Sequence, residues 1–101
     1  MSLLSAEEEL KNKIQSIVNF LNSARYADVI KKTIPLIKKF PQIYILNNLL
    51  ALAYNGLGKY ESAIQTLNKA IKIHPNNIFI LNNLGLIHGN LNNNDIAEEY
   101  L

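Results

Sequence analysis

The chain has no cysteine and no tryptophan, and its 101 residues include only 4 glycines and 3 prolines. Without cysteine, neither a disulfide framework nor a thiolate metal site can form. The net charge of +2 is too small to favour nucleic acid or an anionic membrane as a partner. No apolar run approaches the roughly 20 residues of a membrane span, and the N-terminus lacks the regions of a signal peptide. The sequence therefore predicts a cytoplasmic domain without cofactor or metal.

Apolar residues make up 49% of the chain and charged residues 18%, which is typical of a globular protein. Fifteen residues are asparagine; they reflect either the codon bias of an AT-rich genome or an amide-rich binding surface. The sequence contains no Gly-rich phosphate loop, no Ser-His-Asp set and no paired buried carboxylates. We therefore predict that the chain is not an enzyme.

The stretch from residue 50 to residue 75 carries a regularly spaced pattern of small, aromatic and proline residues. The pattern consists of Leu50-Ala51-x-x-Tyr54, Gly58-x-Tyr60, Ala63, Leu67, Ala70 and Pro75. It resembles the tetratricopeptide repeat, a helix-turn-helix unit of about 34 residues. Asn47 stands at the tryptophan position of that signature. The resemblance implies an all-α fold of stacked antiparallel helix pairs, a right-handed α-solenoid of about 2.5–3 units.

Shifting this pattern by one repeat length finds a weaker copy on each side of the central unit. The equivalent pairs include Tyr26 with Tyr60, Pro41 with Pro75, Gly85 with Ala51 and His88 with Tyr54. We predict a single domain with units at about 10–43, 44–77 and 78–101, the last of them cut short.

Local signals predict where the helices begin and end. Ser5 and Glu8 have the form of a capping box, so the first helix should begin at Ser5. The next three predicted helices are about Tyr26–Lys39, Ile43–Asn55 and Tyr60–Ile73, with a glycine turn at 56–58. Pro35 lies inside the second helix and should kink it.

The third unit should begin with a helix that Asn76 or Asn77 caps through its side-chain oxygen. We expect this helix to end near Asn90, the stretch 92–94 to form a turn, and a sixth helix to start at Asp95. Asparagine tolerates the left-handed backbone region better than most residues, which makes it acceptable in such a turn.

Small residues at two equivalent positions, Ala51 and Gly85, should let neighbouring helices approach closely. We interpret His88 as a packed ring rather than a metal ligand, because no carboxylate or thiol partner stands at metal spacing. Ile96 and Leu101 belong to the unfinished last helix. An open last layer exposes apolar surface, so we expect either self-association through this end or a natural chain that continues further.

By resemblance to the family, the concave surface is formed by fixed positions of the first helix in each unit. It implies a peptide-binding site made of Ile45, Asn48, Leu49, Leu52, Asn55, Phe79, Asn82, Asn83 and Leu86. Asn48 and Asn82 are equivalent, and a side-chain amide both donates and accepts, so the pair can hold the backbone of a bound peptide. The alternative is that these asparagines are solvated or capping residues.

A carboxylate clamp, as in chaperone-binding members of the family, is not expected. The corresponding residues are Ile14, Val18, Leu49, Phe79 and Asn83, and none is a cation. The lysines at 31, 32, 38, 39, 69 and 72 lie on second helices and form a solvated convex face rather than a nucleic-acid surface.

Three functions remain open from the sequence. The first is a non-catalytic module that binds a protein or peptide in its concave groove. The second is a recruitment or oligomerisation fragment of a larger enzyme, for example a transferase. The third is a purely structural role in which stacking is the whole function.

Overall fold

The computed structural model describes residues 5–100, and for residues 94–100 it describes the backbone alone. Within this range the chain forms five α-helices and no strand. The helices are α1 (Ala6–Asn22), α2 (Tyr26–Lys39), α3 (Tyr44–Gly56), α4 (Tyr60–Ile73) and α5 (Ile78–Tyr100). Each helix packs against the next along the chain. The predicted all-α solenoid of stacked helix pairs is confirmed.

The helices repeat at a constant spacing along the sequence. The last residues of α1 and α3, Asn22 and Gly56, are 34 positions apart, and the same spacing separates the first residues of α2 and α4. The loops repeat as well, since the amide of Arg25 donates to Phe20 O at 2.9 Å and the amide of Lys59 donates to Tyr54 O at 2.8 Å. The α1–α2 and α3–α4 hairpins therefore turn in the same way.

The predicted start signals operate as expected. Ser5 Oγ accepts a hydrogen bond of 3.1 Å from the amide of Glu8, and Asn77 Oδ1 accepts one of 3.0 Å from the amide of Ile80. The bounds predicted for α2 and α4 agree with the structure, and α2 continues through Pro35. Helix α3 is displaced from its predicted bounds by one residue at each end.

Helix α3 lies at the centre of the molecule and contacts the other four helices. One buried cluster joins α3 to α4 and α5, and it consists of Ala51, Ala63, Leu67, Ala70, Ile80 and Ile87. A second joins α3 to α1 and α2, and it consists of Ile17, Val29, Leu49 and Ala53. Because α3 is covered on two sides, it is apolar around much of its circumference.

The two sides of the stack differ in spacing. Helices α1, α3 and α5 contact one another in turn, whereas no pair of Cα atoms from α2 and α4 lies within 8 Å. The first helices of the hairpins are therefore drawn together on one side, and the described second helices lie apart on the other. The side of the stack that α1, α3 and α5 form therefore has the smaller radius of curvature.

The helix bounds predicted for the third unit were wrong. Instead of ending near Asn90, α5 is a single helix of 23 residues from Ile78 to Tyr100, with no turn at 92–94 and no separate sixth helix from Asp95. The stretch from 91 to 100 contains neither glycine nor proline, and asparagine costs only a few tenths of a kcal/mol in a helix. The hydrogen-bond ladder of α5 therefore continues through it. The side chain of Ile96, and Leu101 altogether, lie outside the described residues.

The straight course of α5 also changes the packing expected on its surface. Ala51 is fully buried against α4, but its equivalent Gly85 is exposed, and a methyl group there meets nothing within 4 Å. His88 is exposed rather than packed, and Leu81 is 48% exposed. The predictions of a close helix approach at Gly85 and of a packed His88 ring were therefore wrong. No described helix covers α5 in the way that α4 covers α3.

Candidate functional site

A groove of about 460 Å³ lies between α3 and α5. This volume falls within the range of about 300–1,000 Å³ that is usual for ligand sites. The structure brings six of the nine predicted peptide-binding residues together along it: Ile45, Asn48, Leu49, Phe79, Asn82 and Asn83. The constant repeat spacing explains this arrangement, because equivalent residues of adjacent first helices must face the same side.

Two aromatic rings form one wall of the groove. Phe79 of α5 stacks on Tyr44 of α3, with ring centroids 6.1 Å apart and planes inclined by 7°. His74 meets Tyr44 edge-on at 5.9 Å, and its Nε2 lies 2.9 Å from the carbonyl oxygen of Gln42. Phe79 nevertheless keeps 59% of its surface exposed. Phe79 therefore presents a flat apolar surface, and the Tyr44 ring behind it is held in place by its contact with His74.

Tyr44 was missed by the sequence reasoning. It is the first residue of α3 and immediately precedes Ile45, which was predicted. Its equivalent in α5 is Ile78, so the stack joins two residues whose separation is one position longer than the repeat. A search for equivalent positions alone does not find such a pair.

Asn48 is the unusual polar residue of the groove. It is only 9% exposed, and among the described residues no donor reaches its Oδ1. A buried oxygen without a hydrogen bond costs about 1–3 kcal/mol. Asn82, its equivalent in α5, lines the same groove but is exposed. The amide pair thus combines one buried group, which has no donor among the described residues, with one exposed group.

The other three predicted residues do not line this groove. Leu52 is half-buried and Leu86 is 50% exposed. Asn55 Oδ1 accepts a hydrogen bond of 2.8 Å from Asn90 Nδ2, so this amide joins α3 to α5. The structure thus shows a structural hydrogen bond at Asn55, and its predicted role in peptide binding stays untested.

Three further features bear on other kinds of site in the described part of the chain. The lysines at 31, 32, 38, 39, 69 and 72 are all exposed. Among residues 5–93, no group of three or more His, Asp or Glu side chains is placed to hold a metal ion. None of the described helices is both long and apolar enough to cross a membrane.

The repeated hairpins define the chain as an α-helical repeat protein. Comparison with known sequences finds the family that the sequence pattern resembles: residues 51–92 match the family model described as TPR repeat. The predicted resemblance to the tetratricopeptide repeat is therefore confirmed over these residues. Repeats of this family generally mediate protein–protein interaction.

A TPR repeat-containing protein of Methanocaldococcus jannaschii is 42% identical to this chain over 52 residues. The match covers 52% of this chain and 9% of that protein. The chain thus spans a small fraction of the length of this relative. No solved structure matches the chain.

Proposed function

We propose that the chain is a non-catalytic interaction module that binds an extended peptide segment of a partner protein in the groove between α3 and α5. The observation that carries this proposal is the combination of exposed apolar walls with a buried amide oxygen that no donor of the described residues reaches. Recruitment or oligomerisation within a larger enzyme remains the alternative, and then the groove serves to attach the catalytic part to its partner.

The apolar walls supply the contact area. Phe79 and Ile45 are 59% and 42% exposed, and both line the groove. Covering exposed apolar surface gains roughly 25 cal/mol per Å², and a rigid aromatic surface loses little side-chain entropy on binding. We therefore expect the peptide to place a large apolar side chain against Phe79.

The two amides supply the polar contacts. An extended peptide presents backbone N–H and C=O groups alternately, and a side-chain amide can pair with both. The terminal torsion of asparagine is broad, so the amide of Asn48 can turn its oxygen toward a peptide N–H. Binding would give the oxygen of Asn48 a donor that none of the described residues supplies. This favours peptides with an unblocked backbone over those with proline at the contact.

The test is a selection of peptides from a random library on the immobilised chain, followed by affinity measurement with each purified peptide. The Asn48→Ala/Asn82→Ala variant should lose about tenfold or more in affinity, as expected for two hydrogen bonds. The matched control is Asn68→Ala/Asn76→Ala, two exposed asparagines outside the groove, which should bind like the wild type.

Amide chemical shifts locate the bound peptide. Changes at Ile45 and Phe79 on addition of peptide support the groove. Equal affinity of both double variants, or shifts confined to α2 and α4, would contradict the proposal and leave the fold unaffected.

A further inference from the structure

A second cavity, of about 380 Å³, lies on the other side of the molecule from the peptide groove. Helices α2 and α4 form its sides, and α3 forms its floor through Asn47, Leu50 and Tyr54. It occupies the gap between α2 and α4, which do not contact each other. The two concavities share no lining residue, so the proposed peptide site and this cavity are separate.

The origin of the cavity is visible in the sequence. Asn47 stands at the position where the repeat signature has tryptophan. It is 7% exposed and lines the floor. An asparagine side chain is much smaller than an indole ring, so the space that a large ring would fill between α2, α3 and α4 stays open.

The lining of the cavity has an apolar part and a cationic part. Ile34 and Ile37 of α2 and Leu50 of α3 form the apolar part. Lys38 and Lys69 enter from opposite sides, on α2 and α4, and none of the described lining residues is acidic. The single ion pair of the described residues lies elsewhere, between Arg25 and Asp28.

We propose that this cavity binds a small organic anion, with its apolar body against Ile34, Ile37 and Leu50 and its anionic group between Lys38 and Lys69. A volume of about 380 Å³ is at the lower end of the range for ligand pockets and is large enough for a compact molecule. Two ammonium groups without an acidic neighbour attract a single negative charge and repel cations. A bound ligand would contact both α2 and α4, and it would restrict changes in the distance between these two helices.

The experiment titrates 2-naphthalenesulfonate into the isotope-labelled chain and follows amide chemical shifts. Saturable shifts are expected at Ile37, Asn47 and Thr66, which lie at the cavity, and not at Phe79. The neutral 2-naphthalenesulfonamide, which keeps the ring and removes the charge, should bind about tenfold more weakly. Added salt should weaken the sulfonate more than the sulfonamide.

Two lysine pairs provide a matched comparison. Lys38→Gln/Lys69→Gln removes the cavity cations, and Lys39→Gln/Lys72→Gln removes the same charge from the same two helices at exposed positions outside the cavity. The first pair should weaken the sulfonate about tenfold and the second less than about twofold. Equal weakening by both pairs would show non-specific attraction and overturn the proposal.

Asn47→Trp tests the origin of the cavity independently of charge. The indole should fill the space, leave the helical circular dichroism unchanged and abolish the sulfonate shifts at Ile37 and Thr66. A folded Asn47→Trp variant that binds the sulfonate as tightly as the wild type would overturn the proposal. If this variant does not fold, the comparison of the two lysine pairs still tests whether the cavity binds an anion. Failure here leaves the peptide groove untouched, because peptide binding is measured at Ile45 and Phe79.

Discussion

Ala24 and Gly58 stand at equivalent places in successive hairpins, and both adopt the left-handed backbone conformation, with φ of 58° and 74°. Each follows the end of a first helix, where a left-handed residue terminates the helix. Glycine adopts this conformation without penalty, whereas a residue with a Cβ atom pays about 1–2 kcal/mol. The first hairpin therefore makes the same turn as the second at a cost that the second avoids.

We predict that Ala24→Gly stabilises the protein. Relief of the left-handed strain exceeds the loss from the more flexible unfolded chain, and the net gain should be about 0.5–1 kcal/mol. Gly58→Ala should cost a similar amount. Urea unfolding followed by circular dichroism measures both, with unchanged m values. The control is Ala27→Gly, in helical conformation on α2, which should destabilise; a loss of stability in Ala24→Gly would contradict the interpretation.

Gly56 should not accept even a methyl group. A Cβ atom at Gly56 would overlap the ring carbons of Tyr26, and a packed ring cannot yield as the end of a flexible side chain can. Gly56→Ala should therefore cost about 1–3 kcal/mol, as overpacking usually does. Chemical denaturation measures the loss.

The matched controls for Gly56→Ala are the two glycines inside α5. Gly85→Ala and Gly89→Ala introduce a Cβ atom with nothing within 4 Å, and alanine is favoured over glycine in a helix by about 1 kcal/mol. Both should stabilise the protein. A Gly56→Ala variant as stable as these two would show that the Tyr26 ring is free to move.

The cap of α5 distinguishes two adjacent asparagines. Asn77 Oδ1 accepts a hydrogen bond from the amide of Ile80, whereas Asn76 is exposed. Asn77→Ala should cost about 1 kcal/mol, the usual value of an N-cap, and Asn76→Ala less than about 0.5 kcal/mol. Thermal unfolding of the two variants checks this, and equal effects would exclude Asn77 as the cap.

The helix bounds were predictable where the signal is local. Two such signals can be recognised from the sequence alone: a side-chain oxygen that caps a helix, and a regularly repeated residue pattern. Helices α1, α2 and α4 therefore follow from the sequence. The course of α5 beyond Asn90 does not, because asparagine is acceptable both in a helix and in a left-handed turn. Tertiary contacts decide between the two, and a sequence pattern does not contain them.

The candidate site was predictable to the same degree. The repeat register placed Ile45 and Phe79 on one side, and the structure shows them in one groove. It did not indicate that Asn48 is buried with no donor among the described residues or that Tyr44 stacks on Phe79, because both depend on the distance between α3 and α5. The missing tryptophan at Asn47 was visible in the sequence, but the cavity there depends on the separation of α2 and α4.

Stability and binding should oppose each other at Asn48. Leucine branches at the same atom as asparagine and has no polar atom. Asn48→Leu therefore removes a buried oxygen that has no donor among the described residues, and it should stabilise the protein by about 1 kcal/mol. The same change removes the proposed contact with a peptide backbone, so affinity for a selected peptide should fall about tenfold. Residues kept for binding at a cost in stability commonly behave in this way.

The control for this prediction is Asn82→Leu, because Asn82 lines the same groove but is exposed. Its stability should change by less than about 0.5 kcal/mol. Urea unfolding and peptide titration of the same protein preparations separate the two effects. A less stable Asn48→Leu variant would contradict the interpretation of Asn48 as a buried group without a hydrogen bond to its oxygen. Bound peptide would then gain nothing from that oxygen, and the apolar walls at Ile45 and Phe79 would have to supply most of the affinity.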